Sequence, residues 1–503
     1  MILSKSNYLL FLKHPAWLWL EKHDKIKLPD IDDDTQAIFD AGNLFEQCAE
    51  QLFPDALKLG YKTKDGAFDF SKYQALPELT QEALAGEHTV ILQGRVEIDG
   101  LTCIFDVLER NAMGTFNLYE IKSSSKAKTE HEHDLAFQTL VLERAGLTVE
   151  NIYVIHANSA YVRNGEIDPK EITDTTEVTS AVRSRMESTV EEVEKAKAVL
   201  VAPEIPDPSP RFCRGDKTLE NWLKIYNAHF VEDFEDSIYA VKAFGARGFA
   251  ELEDLGVTKL VDVPDELSLS PKLTALVQAA KRGGQLINHE EVDSFVSKLQ
   301  FPLYFLDYET FSGVIPAFDG LRPYQVVPFQ YSLHVLESPE AALVHKEYLH
   351  TDNSLPVRPL LEQLVQDIGP DGTVLVWFKT FEMGRNADMA EMEPDFNAFL
   401  YNLNDRIVDL KDPFSNQWFV DKGFNASASI KDVLPVLAPE LSYKDLNVQG
   451  GTTAQRVWMQ TVLSEMYQKN KEVIMHDLRK YCERDTFAMV EIWKVLQKLV
   501  NTK

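Results

Sequence analysis

Several acids of this chain fall where carboxylates are costly. Asp106 interrupts the apolar run Cys103-Ile104-Phe105-Asp106-Val107-Leu108, which reads as a strand. In Leu118-Tyr119-Glu120-Ile121-Lys122, Glu120 and Lys122 are two apart and share a strand face. The Met113-Gly114 turn folds this segment back beside Asp106, so two carboxylates and an ammonium converge. Close buried carboxylates repel and take up a proton. A divalent cation removes that conflict and activates a water, while the lysine steadies the water or the charge developing on a phosphorane. That is phosphodiester chemistry.

A second set lies downstream. An acid-x-acid pair alone carries nothing, since 79 acids in 503 residues give ~12 by chance. Here the apolar strand Leu303-Tyr304-Phe305-Leu306 delivers Asp307 and Glu309 on one face, and burying that pair without a cation is expensive. Glu382 follows the strand Thr373–Phe378 at a helix start. Asp485 lies four residues after Tyr481 in the last helix, on the same face.

The first set, with Gln138 on the helix that follows, resembles the PD-(D/E)XK nucleases, and among them the RecB-like, CRISPR-associated four-type enzymes. The resemblance implies a helical acid before the sheet as a further metal ligand, and Glu46 in Gly42-Asn43-Leu44-Phe45-Glu46 takes that place. Leu142 stands where that family's Gln-x-x-x-Tyr motif has its tyrosine. The second set resembles the DnaQ-like DEDD 3′–5′ exonucleases of the tyrosine subtype. That resemblance implies an RNase H-like fold, two Mg²⁺ or Mn²⁺ ions on Asp307, Glu309, Glu382 and Asp485, and Tyr481 orienting the attacking water. Asp409 matches a further acid that stands behind the ligands and orients them. The segment Phe378-Lys379-Thr380-Phe381-Glu382 departs from the usual Asn-x-x-Phe-Asp. The order of both sets, with Ser429–Pro435, Leu441-Ser442-Tyr443 and Gly450-Gly451 between them, is similar to a bacterial family of domains of unknown function that fuses the two nucleases.

The elements that must position these residues follow from the hydrophobic period. An α/β chain is expected. Residues 1–240 form a PD-(D/E)XK restriction-endonuclease-like domain, with helices over Asn7–Leu12 and Thr35–Phe53, strands over Val90–Leu92, Val96–Ile98, Cys103–Leu108, Phe116–Lys122 and Asn151–His156, and helices over His133–Ala145 and 175–201. Residues 241–295 form a helical connector, helix-hairpin-helix-like around Asp254-Leu255-Gly256-Val257. Residues 296–503 form the RNase H-like domain, closed by helices over 453–468 and 472–499. Asp32-Asp33-Asp34 reads as a solvated loop or cap. His131 and His133, beside Asp134, read foremost as an exposed cluster, with an approach to the first metal site as the alternative. Lys126 and Lys128 are expected phosphate contacts.

Composition narrows the rest. At 45% hydrophobic and 26% charged, with formal charge −28, the chain is an ordinary globular one and no polyanion-coating protein. It lacks a signal-peptide pattern and a bilayer-length apolar run, so a cytoplasmic protein without a membrane partner is expected. Iron–sulfur members of the RecB-like group need one cysteine near the N-terminus and three after the last helix. This chain has His14 at the first place and Cys213 alone at the second, with Cys48 and Cys103 at core positions, so no cluster is expected. The leading reading is a metal-dependent deoxyribonuclease with two sites, taking one or two ions in the first and two in the second. DNA stands ahead of RNA as partner. The alternatives are an exoribonuclease in RNA turnover and a non-catalytic scaffold for nucleic acid or a protein.

Overall fold

The turn Asp99-Gly100 sets the register of the first sheet. Both residues have positive φ, 51° and 73°, which closes a two-residue hairpin with the twist its strands need. The computed structural model describes residues 1–63, 66–232, 234, 236–464 and 466–501, with the backbone alone at 501. They divide into two compact units, Met1–Glu232 with Gly313–Tyr324, and Asp233–Ser312 with Gln325–Lys503. Both mix α and β.

The first unit has seven strands: β1 (Leu3–Ser4), β2 (Leu57–Lys58), β3 (Val90–Ile98), β4 (Leu101–Arg110), β5 (Phe116–Ile121), β6 (Val149–Ala157) and β7 (Thr173–Glu177). They lie in the order β2-β3-β4-β5-β6-β7, and β1 pairs parallel with the start of β4. The β3-β4 and β4-β5 pairs are antiparallel, and β5-β6 is parallel. Gly94 on β3 lets the Phe105 ring lie across the strand, because a Cβ there would collide with it. The helices that matter are α1 (Lys5–Lys13), α2 (Pro15–His23), α3 (Asp33–Glu50), α4 (Phe70–Ala85), α5 (Thr129–Arg144), α6 (Thr179–Val201) and α7 (Asp216–His229). One buried cluster joins Tyr8, Phe105, Leu118, Phe137 and Val193, and a second joins Phe45, Val107, Ile121, Ile155 and Val314. Residues 313–324 are tied into this unit by Arg163, whose guanidinium donates to the Pro316 and Ala317 carbonyls at 2.8 Å each.

In the second unit, β8 (Gln285–Ile287) pairs with a late strand. The main sheet holds β9 (Leu303–Phe311), β10 (Val327–Leu336), β11 (Val344–Leu349), β12 (Thr373–Val376) and β13 (Ile407–Asp409). Its order is β11-β10-β9-β12-β13, with β9 antiparallel to β10 and parallel to β12. The late strand, β14 (Phe419–Asp421), pairs antiparallel with β8. Helices α8 (Gly245–Asp254), α9 (Pro271–Lys281), α10 (His289–Val296), α11 (Val357–Asp367), α12 (Lys379–Met392), α13 (Ile430–Leu437), α14 (Gly451–Trp458) and α15 (Lys471–Asn501) surround it. The long α15 packs on β9 and β10, where Trp493 meets the Phe305 ring edge-on at 6.0 Å.

Three expected elements differ. The helix expected over 175–201 begins only at Thr179, and Thr173–Glu177 instead pairs with β6. Its threonines are β-branched and favour the pleated form. The helix expected over 453–468 is α14 followed by a wider π-type turn at Met459–Leu463. After α8, the amides of Leu255, Gly256 and Val257 all donate to carbonyls of that same helix, so the turn expected to be helix-hairpin-helix-like is closed by helix-end hydrogen bonds. Strands β1 and β2 fall in residues 1–60, which read as helical, and helix α4 had no sequence expectation. Among the described residues no helix is long and apolar enough to cross a membrane.

Candidate active sites

The first site is assembled by six elements, β3, β4, β5, α1, α3 and α5. Asp106 on β4 accepts from the Ile121 backbone amide on β5 at 2.7 Å, which holds it beside Glu120. Glu120 is buried, and its two oxygens are both engaged. Oε1 takes Lys122 at 2.5 Å and Lys5 at 2.9 Å, while Oε2 takes Gln138 Nε2 at 2.6 Å. Asp134, one turn before Gln138 on α5, accepts from Gln138 at 2.9 Å and pairs with Lys122 at 2.9 Å and Lys5 at 3.3 Å. Glu46 on α3 accepts from Gln93 Nε2 on β3. The site opens on a cleft of about 910 Å³ lined by Glu46, Lys122, Lys128, His131, Asp134 and Tyr324, among others.

Its charges are strained. Burial pushes Asp106 well above the usual carboxylate range, and Glu120 and Glu46 add to the shift. Burial also raises Glu46, helped by Glu50 and Glu120. Asp134 goes the other way. Burial opposes its charge, but Lys5 and Lys122 overcome that and hold it far below the usual range. Lys5 and Lys122 are committed to Glu120 and Asp134, while Lys62 and Lys58 only partly offset the rise of Glu46. A cation beside Asp106 and Glu46 fits this imbalance.

The second site gathers acids from three elements. Asp307 and Glu309 come from β9, Glu382 from the first turn of α12, and Asp485 from α15. All four line one cleft of about 350 Å³ with Trp377, Phe381, Lys431, Gly451 and Tyr481. Glu382 is buried, and its Oε2 has no hydrogen-bond partner. Burial pushes Asp307, Glu309 and Glu382 well above the usual range, and each is raised further by other acids of the set. Burial lifts Asp485 to about 6, against hydrogen bonds from Tyr443 and Tyr481 that lower it. Buried carboxylates that repel one another, one with an orphaned oxygen, fit a divalent cation. Asp409, at the end of β13, accepts from the amides of Phe378 and Lys379 at 3.1 and 2.8 Å. It thereby fixes the start of the helix that carries Glu382.

The remaining expected residues are placed as follows. Lys128 is exposed on the first cleft and pairs with Glu130 at 3.6 Å; Lys126 is exposed nearby and is not among the residues lining the cleft. His131 caps α5, its Nδ1 accepting from the Lys128 amide at 3.2 Å, while His133 Nε2 lies 3.3 Å from Arg185. Leu142 is fully buried. At the iron–sulfur position, His14 Nε2 donates to the Ser209 carbonyl at 2.9 Å, its Nδ1 being taken by the Ala16 amide. Its ring stacks on Trp222 at 4.1 Å, and Trp19 donates to the Ala202 carbonyl at 3.0 Å. Packing and hydrogen bonds thus clasp the N-terminus to the 202–222 segment, where Cys213 is buried as a free thiol.

Sequence reasoning missed Lys5, Asp134, Tyr443 and Cys482 as members of the sites. Lys5 follows Ser4, which caps α1 and accepts from the Asn7 amide at 3.2 Å. Only the pairing of β1 with β4 carries Lys5 to Glu120, 115 positions away. Asp134 had a usable signal, four residues before Gln138 on one helical face. Tyr443 donates to Asp485 Oδ1 at 2.5 Å from a loop. Cys482 Sγ lies 3.9 Å from Asp307 Oδ2.

Residues 304–429 match the model of a family described as a domain of unknown function, DUF2779. That stretch carries Asp307, Glu309, Glu382 and Asp409 and stops short of Tyr443, Tyr481 and Asp485. An uncharacterized protein of Mycoplasma genitalium is 26% identical over 41% of this chain and 33% of its own length. A homolog of it in Mycoplasma pneumoniae is 26% identical over 41% of this chain and 34% of its own length. An uncharacterized protein of Ureaplasma parvum is 24% identical over 57% and 44%. The chain thus spans a third to under a half of these curated relatives, at 33%, 34% and 44% of their lengths, and it is similar to them over part of its own length.

Proposed function

We propose that this chain is a divalent-metal-dependent nuclease with two active sites, a 3′–5′ exonuclease in the second unit and a PD-(D/E)XK deoxyribonuclease in the first. The observation that carries the reading is the second acid set. Four carboxylates from β9, α12 and α15, three buried and Asp307 half-buried, share one cleft, and Glu382 Oε2 has no hydrogen-bond partner among the described residues. A merely structural cluster would be expected to neutralise such a group by pairing it. The sheet order β11-β10-β9-β12-β13, with Asp307 and Glu309 on the central strand, supports an RNase H-like domain of the DnaQ-like kind. The β3-β4-β5-α5-β6 run, with Asp106, Glu120, Lys122 and Gln138 in sequence, supports the RecB-like reading of the first unit.

Asp307, Glu309, Glu382 and Asp485 would hold Mg²⁺ or Mn²⁺ in the second site, and Asp106, Glu120 and Glu46 in the first. These ions supply a nucleophilic water and neutralise charge on the phosphate. The protein's own part is positional. Tyr443 and Tyr481 orient Asp485, and Asp409 fixes the helix start under Glu382. Lys431 lies 5.8 Å from both tyrosine ring centres and adds a positive charge for a phosphate. Trp377, Phe378 and Phe381 line the same cleft and offer faces for a terminal base. In the first site, Gln138 and Lys5 hold Glu120 and Asp134 so that Lys122 stays charged at the cleft. Digestion of labelled single- and double-stranded DNA and RNA across a Mg²⁺ and Mn²⁺ titration tests the proposal. Cleavage should need the metal and stop in EDTA; cleavage that persists in chelator, or none of any substrate at any metal concentration, contradicts it.

A further inference from the structure

A second kind of metal-ligand grouping lies in the second unit, outside the acid cluster. His334 on β10 and His345 on β11 are directly opposed across the antiparallel pair, with ring centres 4.7 Å apart. Glu483 on α15 reaches the same place, and one ligand atom from each of the three lies within 4.8 Å of the others. We propose that His334, His345 and Glu483 form a binding site for a zinc-class transition-metal ion.

The hydrogen bonds behind the two imidazoles carry the argument. Thr486 Oγ1 lies 3.1 Å from the Glu483 carbonyl, to which it donates as helical threonines do. Having one proton, it must then accept from its other neighbours, Ser332 Oγ at 2.7 Å and His334 Nδ1 at 2.8 Å. Ser332, having donated to Thr486, must in turn accept from His345 Nε2 at 2.9 Å. With Thr486 donating to the Glu483 carbonyl, this order sets the tautomers of the two neutral imidazoles. His334 carries its proton on Nδ1 and leaves the Nε2 lone pair open, and His345 carries its proton on Nε2 and leaves the Nδ1 lone pair open.

His345 Nδ1 lies 3.8 Å from Glu483 Oε1, too far for a hydrogen bond. One ligand atom from each of two imidazoles and a carboxylate thus converge with no hydrogen bond between His345 and Glu483, which suits a cation. A hydroxyl on the far nitrogen of each histidine is the arrangement that orients metal-bound imidazoles. Burial pushes His334 down to about 3, with His345 adding to the shift, so this ring is neutral and ligand-competent at physiological pH.

Two nitrogens and one carboxylate oxygen select zinc-class ions over Mg²⁺ or Ca²⁺. Three protein ligands leave a fourth position open. It faces a cleft of about 480 Å³ lined by Asp445, Asp477, Lys480 and Arg484 as well as His334 and Glu483. An ion here would tie α15, two residues from Asp485, to the edge of the sheet.

The test uses the full chain, stripped with chelator, equilibrated with Zn²⁺ in excess Mg²⁺, desalted and assayed for bound zinc by elemental analysis. Wild type and Asp307→Asn should each hold one more zinc per chain than His345→Ala. Ser332→Ala, which removes the hydroxyl behind His345 and its hydrogen bond to Thr486 but no ligand, should bind that zinc about 10–100-fold more weakly. Should His345→Ala fail to fold, Glu483→Gln on the exposed helix face takes its place. Equal zinc in wild type and the ligand variant, zinc lost in Asp307→Asn instead, or no zinc retained by wild type would overturn the site.

Discussion

Asp485 receives two tyrosine hydroxyls, from Tyr443 at 2.5 Å and from Tyr481 one turn earlier on its own helix. They partly compensate its burial, yet its carboxyl still rises from 3.8 to about 6. The folded chain therefore keeps a proton between these two values that the unfolded chain has already released. Stability from this group is full below pH ~3.8 and is lost as pH rises through about 6. In EDTA, Asp485→Asn should melt above wild type, by a margin that widens from pH 4 to pH 7. Added Mg²⁺ should narrow it, because the ion stabilises the ionised carboxylates of wild type. Thermal melts of both proteins across that range check this, and a margin independent of pH would remove Asp485 from the strained set. Lys5 is the corresponding residue of the first site. Lys5→Met leaves Glu120 and Asp134 with one ammonium in place of two and should cost ~3 kcal/mol, as broken buried pairs do. Denaturant unfolding of Lys5→Met and of Lys5→Met with Asp134→Asn measures this. The second change should return much of the loss, and additive losses would mean the two do not interact.

Strands and helices with strong periods were legible before the structure, and so were the acids they carry. Asp106 and Glu120 stand on neighbouring strands because the Met113-Gly114 turn is local, so their meeting could be read from 15 residues of sequence. Asp307 and Glu309 are adjacent on one strand face, and Tyr481 and Asp485 on one helix face, for the same reason. What stayed hidden depends on register between distant segments. The parallel pairing Leu3↔Leu101 that brings Lys5 to Glu120 involves a two-residue strand with no period of its own. The His334↔His345 opposition requires the β10-β11 register, which no residue type in the connecting loop announces. Tyr443 was visible in its motif and gained a role only when its loop reached α15. The His14 clasp belongs to this scale too. Four thiolates cannot be supplied at its position, while His14, Trp19 and Trp222 supply three contacts from two ends of the unit. The purified protein should therefore be colourless. An iron–sulfur charge-transfer band, or stoichiometric iron after anaerobic purification, would show that reading to be wrong.

Across the whole molecule, the two acid sites are chemically alike and electrostatically different. The first contains its own lysines, and two of its four carboxylates are already neutralised by Lys5 and Lys122. The second has no ion pair to any of its four acids among the described residues, so its demand for cations is greater. On the proposed reading a net charge of −28 sharpens the contrast, because a polyanionic substrate would be repelled at long range and would be drawn in by bound metal and by Lys431 and Lys128 locally. The two sites should therefore be separable by single substitutions. The most direct measurement is digestion of a 3′-labelled and a 5′-labelled single strand, in Mg²⁺ or Mn²⁺, by wild type, Asp307→Ala and Lys122→Ala. Asp307→Ala should fold, melt no lower than wild type in EDTA, and lose one-nucleotide laddering from the 3′ end by roughly 10³-fold or more. Lys122→Ala should keep the laddering. Laddering that continues in Asp307→Ala and stops in Lys122→Ala would contradict the assignment of the exonuclease to the second unit.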